Sequence, residues 1–187
     1  MTALIKTPTL EEFLTLPETK PASELIAGKI VQKPMPQGEH SLIQLELINA
    51  INSVAKSQKI ACAFPELRCV FAGNAIVPDI AVFRWERIPV AESGKIANRF
   101  ETHPDWAIEI LSPDQSQTEV LGKLLFCSSA GSELGWLINP LDEAILVITP
   151  VRQVDIFKGD RPLPFLSKIN LTLTANDVFA WLKWSGS

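Results

Sequence analysis

A chain of 187 residues can bury one sizeable core and is short for two. The apolar share of 47% excludes a disordered chain, and no apolar run approaches the ~20 residues of a membrane-spanning helix. A formal net charge of −4 argues against a protein that coats nucleic acid, because phosphate binding needs a basic surface. It leaves open an enzyme whose site is built of carboxylates. The opening Met1 to Lys6 lacks the apolar stretch of a secretory signal, so the expected location is cytoplasmic. Cys62, Cys69 and Cys127 are an odd number with no C-x-x-C pair. They read as small buried residues rather than a zinc site or a disulfide framework.

Thr9-x-x-Glu12 is a capping box and predicts a short helix over 10–16. The two apolar runs flanking Ala27-Gly28 predict a hairpin. Leu42, Leu45, Ile48, Ile51 and Ala55 recur at three- and four-residue steps, which predicts a helix over 39–57 with that stripe as its core face. Strand signals follow at 60–64, 67–71 and 76–83, the last two separated by the turn pair Gly73-Asn74. Residues 84–104 are polar and read as a surface loop with one helical turn. Trp106 to Leu111 then reads as a central strand, apolar on both faces except at Glu109. Ser116-x-x-Glu119 opens a helix to about Ala130, with Gly131 as its C-terminal cap. Strands are expected at 136–138, 144–148 and 154–157, and a last helix at 175–182 after Thr174. The expected fold is α/β, a mixed sheet flanked by helices, in one domain over 1–187. Its core spans about 20–150, and 151–187 form a C-terminal extension.

Two carboxylates interrupt apolar strands: Asp79 in Ile76–Phe83 and Glu109 in Ala107–Leu111. A lone buried carboxylate is costly unless it is paired or holds a metal. Two on neighbouring strands could share one divalent cation, and Mg²⁺ favours such oxygen ligands. Lys123 lies three residues after Val120 and four before Cys127, on or beside the face that meets the sheet. A lysine there wants an acidic partner, and Glu109 is the obvious one. Taken singly, Asp79 could be a turn residue, and Glu109 with Lys123 a plain ion pair. The set, in this order, points to a site.

Pro78-Asp79, followed about thirty residues later by Glu109 inside a strand, resembles the signature of the PD-(D/E)XK nuclease superfamily. The surroundings are similar to one large bacterial branch of it, usually described as putative restriction endonucleases of unknown function. The resemblance rests on Glu24 to Val31, Glu39-His40, Val77 to Val82, Ile108 to Pro113, Lys123, and Gly131 through Trp136 to Pro140. It covers residues 20–150. The resemblance implies a restriction-endonuclease-like fold and metal-assisted hydrolysis of phosphodiester bonds, with DNA as the expected partner. Asp79, Glu109 and the backbone carbonyl of Ile110 would hold Mg²⁺ or Mn²⁺, and Lys123 would orient water or stabilise the phosphorus centre. Glu39, His40 and Gln44 on the first long helix are possible accessory residues, with Glu24 a remoter one. A solvated cap is the plainer reading of a polar residue near a helix start, and a core histidine or a rim residue the plainer reading of His40.

The chain departs from the pattern in three places. The general superfamily sets its lysine two residues after the glutamate, where this chain has Leu111. The branch often carries an aromatic residue where Cys127 stands, and Glu-Tyr-Trp where Leu134-Gly135-Trp136 stands. The lack of G-x-S-x-G and the presence of only two histidines argue against a serine hydrolase, and no phosphate-binding glycine loop is present. The rival reading is a binding or assembly protein on a nuclease fold with weak or lost catalysis. The apolar C-terminal residues Phe179, Trp181, Leu182 and Trp184 suggest packing on the domain or on a second copy, and a homodimer is expected of a nuclease that cuts both strands.

Overall fold

The structure, a computed structural model, describes residues 7–184. Met1 to Lys6, read above for a leader, lie outside the described residues. A short helix, α1 (Leu10–Thr15), starts at Thr9, and the reciprocal Thr9–Glu12 capping bonds are both present. Strands β1 (Ser23–Ile26) and β2 (Lys29–Gln32) form the expected hairpin. Its turn residues Ala27 and Gly28 both have positive φ (48° and 74°), the conformation a two-residue hairpin turn requires.

Helix α2 (Gly38–Ala55) follows. Its core face is Ile43, Leu47, Ile51 and Ala55, a strict four-residue ladder. That corrects the expected stripe: Leu45 is exposed, and Leu42 and Ile48 are half-buried on its flank. Apolar residues on α2 cover more than one face, so three- and four-residue steps alone left two frames open.

The strands after α2 are β3 (Ala61–Pro65), β4 (Cys69–Phe71), β5 (Asn74–Ile76) and β6 (Ile80–Arg84). The expected strand over 76–83 is therefore two. Val77-Pro78-Asp79 breaks it, and the halves belong to different sheets. The turn between β4 and β5 is Ala72-Gly73, one residue earlier than expected, with Phe71 opposite Asn74. One 3₁₀ turn (Trp85–Arg87) is the ordered helical part of the long loop. Then come β7 (Trp106–Ile110), α3 (Gln117–Ala130), β8 (Leu134–Asn139), β9 (Ala144–Ile148), β10 (Val154–Phe157) and α4 (Ala175–Ala180).

Two sheets result. A six-stranded sheet runs β10-β9-β8-β7-β6-β3, and a four-stranded one runs β2-β1-β5-β4. All named pairings are antiparallel except β7 with β8. That parallel pair needs a crossover, and α3 supplies it. Strand alternation then sorts the faces. Ile80, Val82, Trp106, Ile108 and Ile110 pack toward α2, joined by Leu166, Val178 and Phe179 from the C-terminal part. Ala81, Phe83 and Ala107 pack toward Val120, Leu124 and Cys127 of α3 and toward Cys69 and Ile76 of the small sheet. The C-terminal segment is thus a cover on the main core. Trp106, Trp136 and Phe165 meet edge-on there, with Trp106 and Trp136 4.6 Å apart at their ring centres. All three cysteines are free and buried, as expected. Among the described residues no helix is long and apolar enough to cross a membrane.

Candidate active site

The register of β6 against β7 places the two carboxylates. Ile80 pairs with Ile108 in antiparallel sense, so one step back along β6 and one step on along β7 sets Asp79 opposite Glu109. Both have the parity of Ala81, Phe83 and Ala107, the face that meets α3. The backbone N–H of Ile110 donates to Asp79 Oδ2 at 2.7 Å and fixes that carboxylate against β7. Both residues are about 2% exposed.

The link Val77-Pro78-Asp79 is held by residues of the site. Val77 N–H donates to Glu24 Oε1 at 2.6 Å. The Asp79 carbonyl accepts from Gln44 Nε2 at 2.7 Å and from the backbone N–H of Glu66 at 3.1 Å. A link between two sheets is therefore rigid at the point where it presents a functional side chain.

Lys123 comes from the middle of α3, whose ends are defined by the Ser116 cap and by Gly131 in the left-handed region at φ 117°. Its ammonium lies 2.8 Å from Glu109 Oε1 and 2.9 and 3.0 Å from the two oxygens of Glu24. A second lysine completes the cluster. Lys33 follows β2, and its ammonium contacts Asp79 Oδ1 at 2.5 Å, the Val77 carbonyl at 2.7 Å and Glu109 Oε2 at 3.8 Å. His40, in the first turn of α2, sets Nε2 3.4 Å from Asp79 Oδ1. Its Nδ1 has no protein partner among the described residues.

Of the expected residues, the structure thus brings together Asp79, Glu109, Lys123, Glu24, His40 and Gln44. Glu24, ranked remote in the sequence, is central. Glu39 is exposed and stands apart, on the wall of an outer groove. Ile110 presents its N–H to Asp79. Lys33 was missed. Charge balance is the signal that could have found it: three buried carboxylates against one lysine call for a second cation.

The electrostatics separate the two carboxylates. Burial pushes Asp79 upward, but the Lys33 charge, the His40 contact and Lys123 outweigh it, and Asp79 is held well below the usual carboxylate range. Burial dominates at Glu109 and pushes it up to about 7, although Lys123 and Lys33 pull the other way. The Lys33 ammonium and His40 lie against Asp79, whereas Lys33 is 3.8 Å from Glu109, whose burial outweighs both lysines. Burial disfavours the charge of both lysines, but the facing carboxylates prevail and hold both above the ordinary value, Glu109 contributing most in each case.

A divalent cation fits this donor set. The two opposed carboxylates already converge on one cationic position, and Mg²⁺ is commonly held by one or two carboxylates with water completing its shell. Among the described residues, no cluster of three or more Asp, Glu, His or Cys side chains is arranged as a ready-made metal cage. Beside His40 a groove of about 610 Å³ runs between the start of α2, the β7–α3 loop and the β8–β9 turn, with Ser112, Gln115 and Asn139 on its walls.

This is the layout of a restriction-endonuclease-like protein, and residues 10–176 match the Uma2 family, described as "putative restriction endonuclease". The chain belongs to that family. It is also similar to a crystal structure titled as a putative nuclease of the domain-of-unknown-function family 820 from Anabaena variabilis. The two share 53% identity over 94% of this chain and 99% of that one, with a TM-score of 0.92. No functionally curated protein matches the chain.

Proposed function

We propose that the chain is a divalent-metal-dependent endonuclease that hydrolyses phosphodiester bonds of DNA, with Asp79, Glu109 and Lys123 at its centre. The observation that carries this reading is the facing pair of buried carboxylates converging on one cation position, with a buried lysine at the far oxygen of Glu109. Asp79 and Glu109 would hold Mg²⁺ or Mn²⁺, with the Ile110 carbonyl as a further ligand. The cation, when bound, supplies activation of water and neutralises charge developing on the phosphate. Asp79 suits the ligand role because it is held ionised far into the acid range. Lys123 stays protonated between Glu109 and Glu24 and would orient the attacking water or balance charge on the phosphorus oxygens. Glu24 positions Lys123, and Gln44 positions the Asp79 backbone. The groove beside His40 would take the strand that flanks the reacting phosphate. Two copies of the chain would serve the two strands of a duplex.

The test is cleavage of supercoiled plasmid and labelled duplex with Mg²⁺, Mn²⁺ or excess chelator. Metal-dependent cleavage is expected, with a loss on the order of a thousandfold or more in Asp79→Asn and Glu109→Gln. Unchanged cleavage in either variant rejects the assignment. Light scattering at working concentration checks the dimer, and a monomer rejects it.

A further inference from the structure

We propose that Lys33 is the resident counter-cation of the site: its ammonium occupies the seat between Asp79 and Glu109, and divalent-metal binding requires its side chain to swing out. This rests on the reading of Asp79 and Glu109 as metal ligands given above. Three oxygens surround the Lys33 ammonium: Asp79 Oδ1, Glu109 Oε2 and the Val77 carbonyl. They are the kind of donor that hard divalent cations take. A dication and an ammonium cannot share that seat, because at a few ångströms their repulsion is strong in a poorly screened interior.

Charge balance points the same way. With Glu24, Asp79 and Glu109 all ionised, Lys33 and Lys123 leave one negative charge over, beside which His40 stands with its Nε2 3.4 Å from Asp79 Oδ1. With a dication in place of the Lys33 ammonium, the same carboxylates would be balanced. Lys123 does not fill this role. It is held by both oxygens of Glu24 and by the outer oxygen of Glu109, away from Asp79.

Lys33 is also built to move. It follows β2, an edge strand whose four residues are all exposed, and leads into Pro34-Met35-Pro36. Its backbone N–H is anchored to the Ala22 carbonyl at 2.9 Å, so a rotation of the side chain alone suffices. It borders a groove of about 560 Å³ between the hairpin and α3. The exposed Glu119 on that wall offers a new partner.

The experiment is Mn²⁺ titration by calorimetry, with thermal unfolding measured in parallel, on the full chain and on Lys33→Met, Lys33→Arg and Asp79→Asn. Lys33→Met is expected to bind Mn²⁺ at least tenfold more tightly than the parent. It should melt lower than the parent without metal and recover with Mn²⁺, which a merely structural lysine would not allow. Lys33→Arg, which refills the seat with a bulkier permanent cation, should bind more weakly than the parent. If parent and Lys33→Met bind equally and Asp79→Asn does not bind, the inference falls while the metal site stands. If none of the proteins binds Mn²⁺, both fall. Should Lys33→Met not fold even with Mn²⁺, the arginine variant decides: binding as tight as the parent's overturns the inference.

Discussion

At the residue scale, the decisive contrast is between two carboxylates a strand apart. Asp79 has a backbone N–H and the nearest lysine; Glu109 has burial without a backbone donor and sits at about 7. Its value is raised, so in the metal-free protein Glu109 favours folding most at low pH. That contribution is lost as pH climbs from about 4.5 toward 7. Asp79 is lowered and acts oppositely, its contribution being lost only as the solution becomes strongly acidic. On the proposed ligation, a metal would have to displace the Glu109 proton. Mn²⁺ affinity is therefore expected to fall up to about tenfold per pH unit on the acid side of 7 and to level off above it. Calorimetry at pH 5.5, 6.5 and 8 reads this directly. A flat affinity across that range would show that Glu109 is ionised throughout or is no ligand.

At the element scale, helix caps and the Ala27-Gly28 turn were legible because each is set by local chemistry. Thr9 with Glu12, Ser116, Gly131 and Thr174 mark helix ends where the sequence places them. Glu109 and Lys123 were legible because each breaks an apolar pattern whose period is known. What was not legible needs contacts between distant segments. Pro78, which has no N–H to give a ladder, marks a break inside 76–83, but that the two halves join different sheets is not legible locally. The salt bridge from Glu24 to Lys123 spans 99 residues, and Lys33 lies in a proline-flanked segment with no period to break. Asn52 is a further case. From α2 it donates to the Ala63 carbonyl at 3.0 Å and accepts the Ala63 N–H at 2.9 Å. Ala63 lies on β3, the edge of the large sheet, and its outward backbone groups would otherwise template another strand. Asn52→Ala should cost about 1–3 kcal/mol by urea unfolding and raise the tendency to aggregate. Unchanged stability would mean that water replaces the amide without loss.

At the scale of the whole molecule, the candidate site is the seam of the fold. Glu24 belongs to the four-stranded sheet, Glu109 to the six-stranded one, Lys123 to the helix over both, and Asp79 to the link between the sheets. A buried charge cluster stabilises poorly when it must offset its own desolvation, so this arrangement makes the seam sensitive to what neutralises it. Metal bound only by the folded state stabilises by about 2.7 kcal/mol at a hundredfold excess over Kd. For a domain of this length that is a rise in Tm of roughly 5–10 °C. Because the proposed ligands Asp79 and Glu109 would tie the link between the sheets to the six-stranded one, the rise should appear as one cooperative transition shifted whole. Calorimetric scans with and without Mn²⁺ test it, with Asp79→Asn as the variant expected to show no shift. If instead two transitions separate and only one moves, the sheets unfold independently and the site is not what joins them.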